Sequence, residues 1–233
     1  MPDLAGAAVY YVVFLFSTTL HEAAHAWAAK LGGDLTAYHG GQVSLNPLPH
    51  IRREPFGMVV LPVMSCLLSG WPFGFASAPY SREWAMRYPK RAGWMALAGP
   101  GANLLLVLIA AAGIKAGIAS HVFFQPSSIT FGKVAGAKAG GFWPGAAFML
   151  GVFFSLNLLL ALFNLLPLPP LDGSAAVPLL LSDEASTRYQ EALWNNPSVR
   201  VVGMLVAWQV FNPVFQPVFT FSLNLLYPGS HYH

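Results

Sequence analysis

The sequence is short of charge. Of its 233 residues only 12 are Lys or Arg and 9 are Asp or Glu, so charged residues make up 9% of the chain. A soluble globular domain carries about 25%. A soluble fold could not cover its surface with so few charges, and the bulk of the chain belongs in lipid. Cysteine is nearly absent. Cys66 stands alone in an apolar run, which excludes an intramolecular disulfide and leaves the redox compartment unset. No dense basic stripe exists either. The net charge of +3 and the pI of about 9.1 reflect loop residues that set membrane orientation, so no nucleic-acid partner is expected. Internal repeats and low-complexity tracts are missing. The Met-Pro-Asp start lacks the basic segment that opens a signal peptide, and no cleavage is expected. The ending His231-Tyr232-His233 is read as a flexible tail without a metal role.

What is abundant is apolar sequence. Hydrophobic residues make up 55% of the chain and the mean hydropathy is +0.54. Four runs, 5–29, 94–118, 143–166 and 199–227, each reach the about 20 residues that a helix needs to cross a bilayer. A fifth, 56–72, is shorter and broken by Pro62, Gly70 and Pro72. Basic residues flank it on both sides: Lys30, Arg52 and Arg53 before, Arg82, Arg87, Lys90 and Arg91 after. Re-entry keeps both groups on one face, which the positive-inside rule makes cytoplasmic, so re-entry is the expectation. Segment 32–50, rich in Gly, Asn and Pro and alternating at Gln42–Leu45, reads as a β-hairpin or extended loop. Segment 119–142 reads as a polar connector, and 175–181 is too short to span. The expected fold is an all-α polytopic membrane protein. It has about four spanning helices, a re-entrant or short membrane segment, and a small β-hairpin or loop near the active site. It forms one integral-membrane domain over 1–233, with a core at about 5–181 and a packing helix at 199–227.

The chemistry concentrates in His21-Glu22-Ala23-Ala24-His25. Positions i and i+4 share a helix face, so both imidazoles can reach one metal ion. Glu22 beside them can act as general base. An unpaired charge at the bilayer centre costs at least about 2.5–3.5 kcal/mol, so a bland helix would not keep three ionisable groups there. His21 lies roughly 24 Å along the helix from residue 5, which puts the site inside the bilayer, nearer the Lys30 face. A catalytic zinc needs a third protein ligand. The candidate is Asp172, the only acidic residue between Arg91 and Leu181, where Pro167, Pro169 and Pro170 break the third run and Gly173 permits a tight turn. Alone, Asp172 would be an N-cap. Glu54, Glu83, Glu184 and Glu191 read as loop residues and replace it poorly. Gly99-Pro100-Gly101-Ala102-Asn103 suits close helix packing, with substrate contact by Asn103 the alternative. Asn164 could hydrogen-bond a substrate carbonyl.

His21-Glu22-x-x-His25, Gly99-Pro100-x-x-Asn103 and Asn164-x-x-Pro167-x-Pro169-x-Leu171-Asp172-Gly173, in this order and in separate apolar segments, together resemble the site-2 protease family of intramembrane zinc metalloproteases. Leu45–Ile51 followed by Phe56-Gly57 is similar to its small bacterial members, although Arg52-Arg53-Glu54-Pro55 makes a longer, more basic link. The resemblance covers about residues 10–180. It implies a three-helix catalytic core and one zinc ion per chain held by His21, His25 and Asp172, with Glu22 as base. It implies transmembrane or membrane-tethered protein substrates that unwind before cleavage, and an active site on the cytosolic side of a bacterial plasma membrane. The PDZ and CBS domains of larger members are not expected. Segment 32–50 is expected to pair with the extended substrate by β-addition. A metal-transporting membrane protein or an inactive membrane scaffold are the alternatives. Nothing in the sequence sets the oligomeric state.

Overall fold

The computed structural model describes residues 4–230 and residue 232. His231 and His233 lie outside the described residues. Among those described, four helices are long and apolar enough to cross a membrane: α1 (Leu4–Gly32), α6 (Pro89–Ala119), α7 (Trp143–Leu165) and α10 (Pro197–Leu226). They coincide with the four apolar runs, and the chain is an all-α polytopic membrane protein. Shorter helices join them: α2 (Thr36–His39), α3 (Pro47–Arg53), α4 (Leu61–Ser69), α5 (Arg82–Arg87), α8 (Asp172–Ala176) and α9 (Asp183–Asn195).

The sequence of α1 holds no Pro or Gly between Ala7 and Leu31. It stops at Gly33, which takes a left-handed φ of +97°. There the Asp34 amide donates to Ala29 and that of Gly33 to Lys30, a Schellman end that satisfies the last carbonyls. Asp34 is buried and ties this end to the start of α5: one carboxylate oxygen accepts from Thr36, the other from the Ser81 amide at 2.8 Å. α6 packs against both α1 and α7, so these three helices form the centre. α10 lies against α7 through Phe211, Phe215 and Phe219 and against the 166–171 segment through Gly203 and Ala207, with much of its remaining face exposed.

The 56–72 run goes out and comes back. A π-helical turn, Phe56–Val60, leads into α4. The 14-residue rod Phe56–Ser69 is about 21 Å long, short of the about 30 Å hydrocarbon core. Gly70, at φ +82°, caps it, and a segment without regular structure returns until the Phe75 amide donates to the Gly57 carbonyl at 3.1 Å. Ser77 then lies beside Arg53, Glu54 and Gln42. Both ends of this hairpin therefore face the Lys30 end of α1.

Of the two forms expected of segment 32–50, the loop is found at 41–46, beside the short helix α2, and the β-hairpin is not. Gln42–Leu45 forms no strand, because four alternating residues are bounded by the Gly40-Gly41 turn and by Asn46, whose side chain caps α3 through the Leu48 amide. The small sheet lies instead in the connector 119–142, where Phe123–Phe124 pairs antiparallel with Gly136–Ala137. It sits across the far end of the bundle, contacting α6 and α7, away from the Lys30 end. Nor are the four glutamates loop residues: Glu54 caps α3, Glu83 lies in α5, and Glu184 and Glu191 lie in α9.

Candidate metal centre

His21, Glu22 and His25 lie on one turn of α1 and are all about 5% exposed. Asp172 arrives from the far end of α7. Pro167 ends that helix, the chain crosses 166–171 without regular structure, and Asp172 opens α8. The three predicted ligands meet. The Nε2 atoms of His21 and His25 are 3.0 Å apart, and Asp172 Oδ2 lies 3.1 Å from the first and 3.3 Å from the second. Among the described residues this is the only cluster of three such groups that could hold a metal, and none of the glutamates joins it.

The outer contacts fix which ring nitrogens face inward. His25 Nδ1 lies 2.7 Å from the Met95 carbonyl, which can only accept. His21 Nδ1 lies 2.5 Å from Asn103 Oδ1. Each Nδ1–H is therefore the donor, and each Nε2 turns a lone pair toward Asp172. Two lone pairs and a carboxylate oxygen at about 3 Å repel one another unless a cation lies among them. Tetrahedral zinc with bonds of about 2.0–2.1 Å sets its donors about 3.3 Å apart, close to the 3.0–3.3 Å found. The donor set of two imidazoles and one carboxylate fits a catalytic zinc, which takes three protein ligands and leaves its fourth position to water.

Asn103 is fully buried in α6 and faces His21, not a cavity. Its amide nitrogen donates to Asn157 Oδ1 at 2.8 Å, and Asn157 in turn donates to Ser17 Oγ and to the Phe153 carbonyl. This buried chain links α6, α7 and α1 behind the site. Asn164 stands apart on α7, donating to the Leu160 carbonyl at 3.0 Å. Glu22 makes no hydrogen bond with the described residues. Gly173 is needed for closeness, not for a turn: a Cβ there would stand 2.2 Å from the Leu165 carbonyl oxygen. Sequence reading missed Asn157, Ser17 and the Met95 carbonyl. Asn157, a fully polar amide within an apolar run, was the signal available.

Peptidase family M50 matches residues 9–205, a span that includes every residue of the cluster. YwhC of Bacillus subtilis (strain 168), named as a candidate zinc metalloprotease, is 30% identical over 226 residues, which is 89% of this chain and 92% of YwhC. Rip2 of Mycolicibacterium smegmatis carries the same kind of name and is 32% identical over 171 residues, 73% of this chain and 56% of that protein. Rip2 of Mycobacterium tuberculosis (H37Rv) is 32% identical over 177 residues, 75% of this chain and 59% of its own length. No solved structure gives a significant match. A family match over most of the chain, together with the convergent His-His-Asp cluster, leads to one assignment: the chain belongs to peptidase family M50 and is a metalloprotease of the site-2 type.

Proposed function

We propose that this protein holds one zinc ion through His21, His25 and Asp172 and hydrolyses peptide bonds in transmembrane or membrane-tethered protein segments, with Glu22 as general base. The observation that carries the proposal is the convergence of two Nε2 atoms and one carboxylate oxygen within 3.0–3.3 Å. Zinc bound there supplies Lewis acidity for attack by water on a carbonyl. Glu22 is buried beside the cluster with its carboxylate uncommitted, so it can take a proton from the attacking water and hand it to the leaving amine. Asn103 and Met95 hold the imidazoles in the tautomer that keeps Nε2 unprotonated. Asn164, its nitrogen committed to Leu160, keeps its amide oxygen for a backbone N–H of the substrate.

The depth of the site supports the substrate class. His25 lies five residues before Lys30 and His21 nine, about 8 and 14 Å from that end of α1, on a helix apolar along most of its length. A substrate helix in lipid has its own carbonyls committed to hydrogen bonds, so it must unwind before one can be attacked. The Lys30 end also carries Arg53, Arg82 and Arg91, whereas Lys115, Lys133 and Lys138 lie toward the other end. This asymmetry supports a cytoplasmic site in a bacterial plasma membrane. Residues 5–181 form the catalytic core in this reading, and α10 is a packing helix.

The test is metal content and chelation. Protein purified in detergent should hold one zinc per chain and cleave a model transmembrane substrate. A zinc chelator should abolish cleavage, and added zinc should restore it. Full activity in zinc-free protein would refute the proposal.

A further inference from the structure

One face of α6 does three things at the cluster. Met95, Gly99 and Asn103 recur every four residues, so they form a single stripe. Met95 and Asn103 hold the outer nitrogens of His25 and His21. Gly99, between them, offers no side chain. A Cβ placed there would stand 2.3 Å from His25 Nε2 and 2.5 Å from His21 Nε2, with His25 Cε1 next at 2.6 Å. Zinc bonded to imidazole lies about 2.0–2.1 Å from nitrogen. An alanine methyl would thus sit close to where an ion shared by both rings must sit. Gly101, two residues on, has nothing within 4 Å of its Cβ position, so nearness to the rings is particular to Gly99.

We propose that Gly99 determines whether the site can be loaded: its missing side chain reserves the space for the ion, and the α6 backbone is one wall of the metal centre. The inference rests on the zinc reading above. A rival role for Gly99 is helix packing alone. The two differ in what the methyl strikes. Its three nearest atoms all belong to His21 and His25, so the cost of a methyl should vanish once those rings are removed. A packing role would leave the cost unchanged.

The experiment is a zinc titration of the full chain in detergent against a chromophoric chelator, for wild type, Gly99→Ala and Gly101→Ala. Wild type and Gly101→Ala should each bind one zinc. Gly99→Ala should lose more than about a hundredfold in affinity, beyond what lost outer contacts cost. Thermal melting of zinc-free protein supplies the second readout. Gly99→Ala in a His21→Ala/His25→Ala background should melt with that background. Zinc bound by Gly99→Ala as by wild type would overturn the inference and leave the zinc reading standing. An equal loss of melting temperature with and without the histidines would overturn it too. A wild type that binds no zinc would bring down both.

Discussion

Asn103 Oδ1 lies 2.5 Å from Nδ1 of His21, across the interface between α1 and α6. An acceptor there holds the ring with its other nitrogen bare, and Asn157 holds Asn103 in turn. Replacing Asn103 by leucine removes the acceptor while keeping volume. Zinc affinity should fall about 10–100-fold. Asn103→Asp keeps an acceptor and should recover most of that loss. A chelator-competition titration measures both, and unchanged affinity in Asn103→Leu would remove Asn103 from the site.

Gly173 is pressed against the end of α7. A Cβ would stand 2.2 and 2.4 Å from the carbonyl oxygens of Leu165 and Leu166, and backbone yields less readily than a side-chain tip. Gly173→Ala should destabilise the protein by about 1–3 kcal/mol and weaken zinc binding by displacing Asp172. Gly145→Ala, with nothing within 4 Å, is the control. Melting in detergent with and without zinc reads the difference, and equal behaviour of the two variants would contradict the packing described.

Lys90 reaches from the start of α6 to the turn that follows α8. Its ammonium donates to the carbonyls of Pro178 at 2.8 Å and Leu179 at 3.3 Å, and to that of Leu181. Lys90→Met keeps the stem and leaves the Leu179 and Leu181 carbonyls without this donor, while Pro178 still accepts from Ser186 and the Leu181 amide, a loss of about 1–3 kcal/mol. The turn adjoins Asp172, so zinc affinity should drop as well, without loss of any ligand. Calorimetric melting and zinc titration check the two effects separately.

The long helices and the His21–His25–Asp172 cluster are legible from the sequence, for different reasons. Apolar length is a direct signal of α1, α6, α7 and α10. An HExxH spacing needs only one helix to bring His21 and His25 together. Asp172 could be found because the charge-poor sequence offered so few acidic competitors. Elements that depend on partners were not legible. The polar amphipathic α9 carries no long apolar run. It is placed by tertiary bonds, such as Tyr189 to the Ser174 carbonyl and Ser186 to the Pro178 carbonyl. The four-residue alternation at 42–45 fits a hairpin or a loop, and the Gly40-Gly41 turn with capping by Asn46 leaves it a loop. Gly99 was read as a packing residue. What it faces is set by how α1 and α6 meet, which no local pattern records.

The central claim is a zinc site served by Glu22, and one comparison addresses it most directly. Wild type and Glu22→Gln, purified in detergent, are assayed for zinc content and for cleavage of a model transmembrane substrate. Both should hold one zinc per chain. Only wild type should cleave, with the variant slower by at least about 100-fold, the smallest effect expected of a lost general base. Equal cleavage by the two proteins would contradict the account.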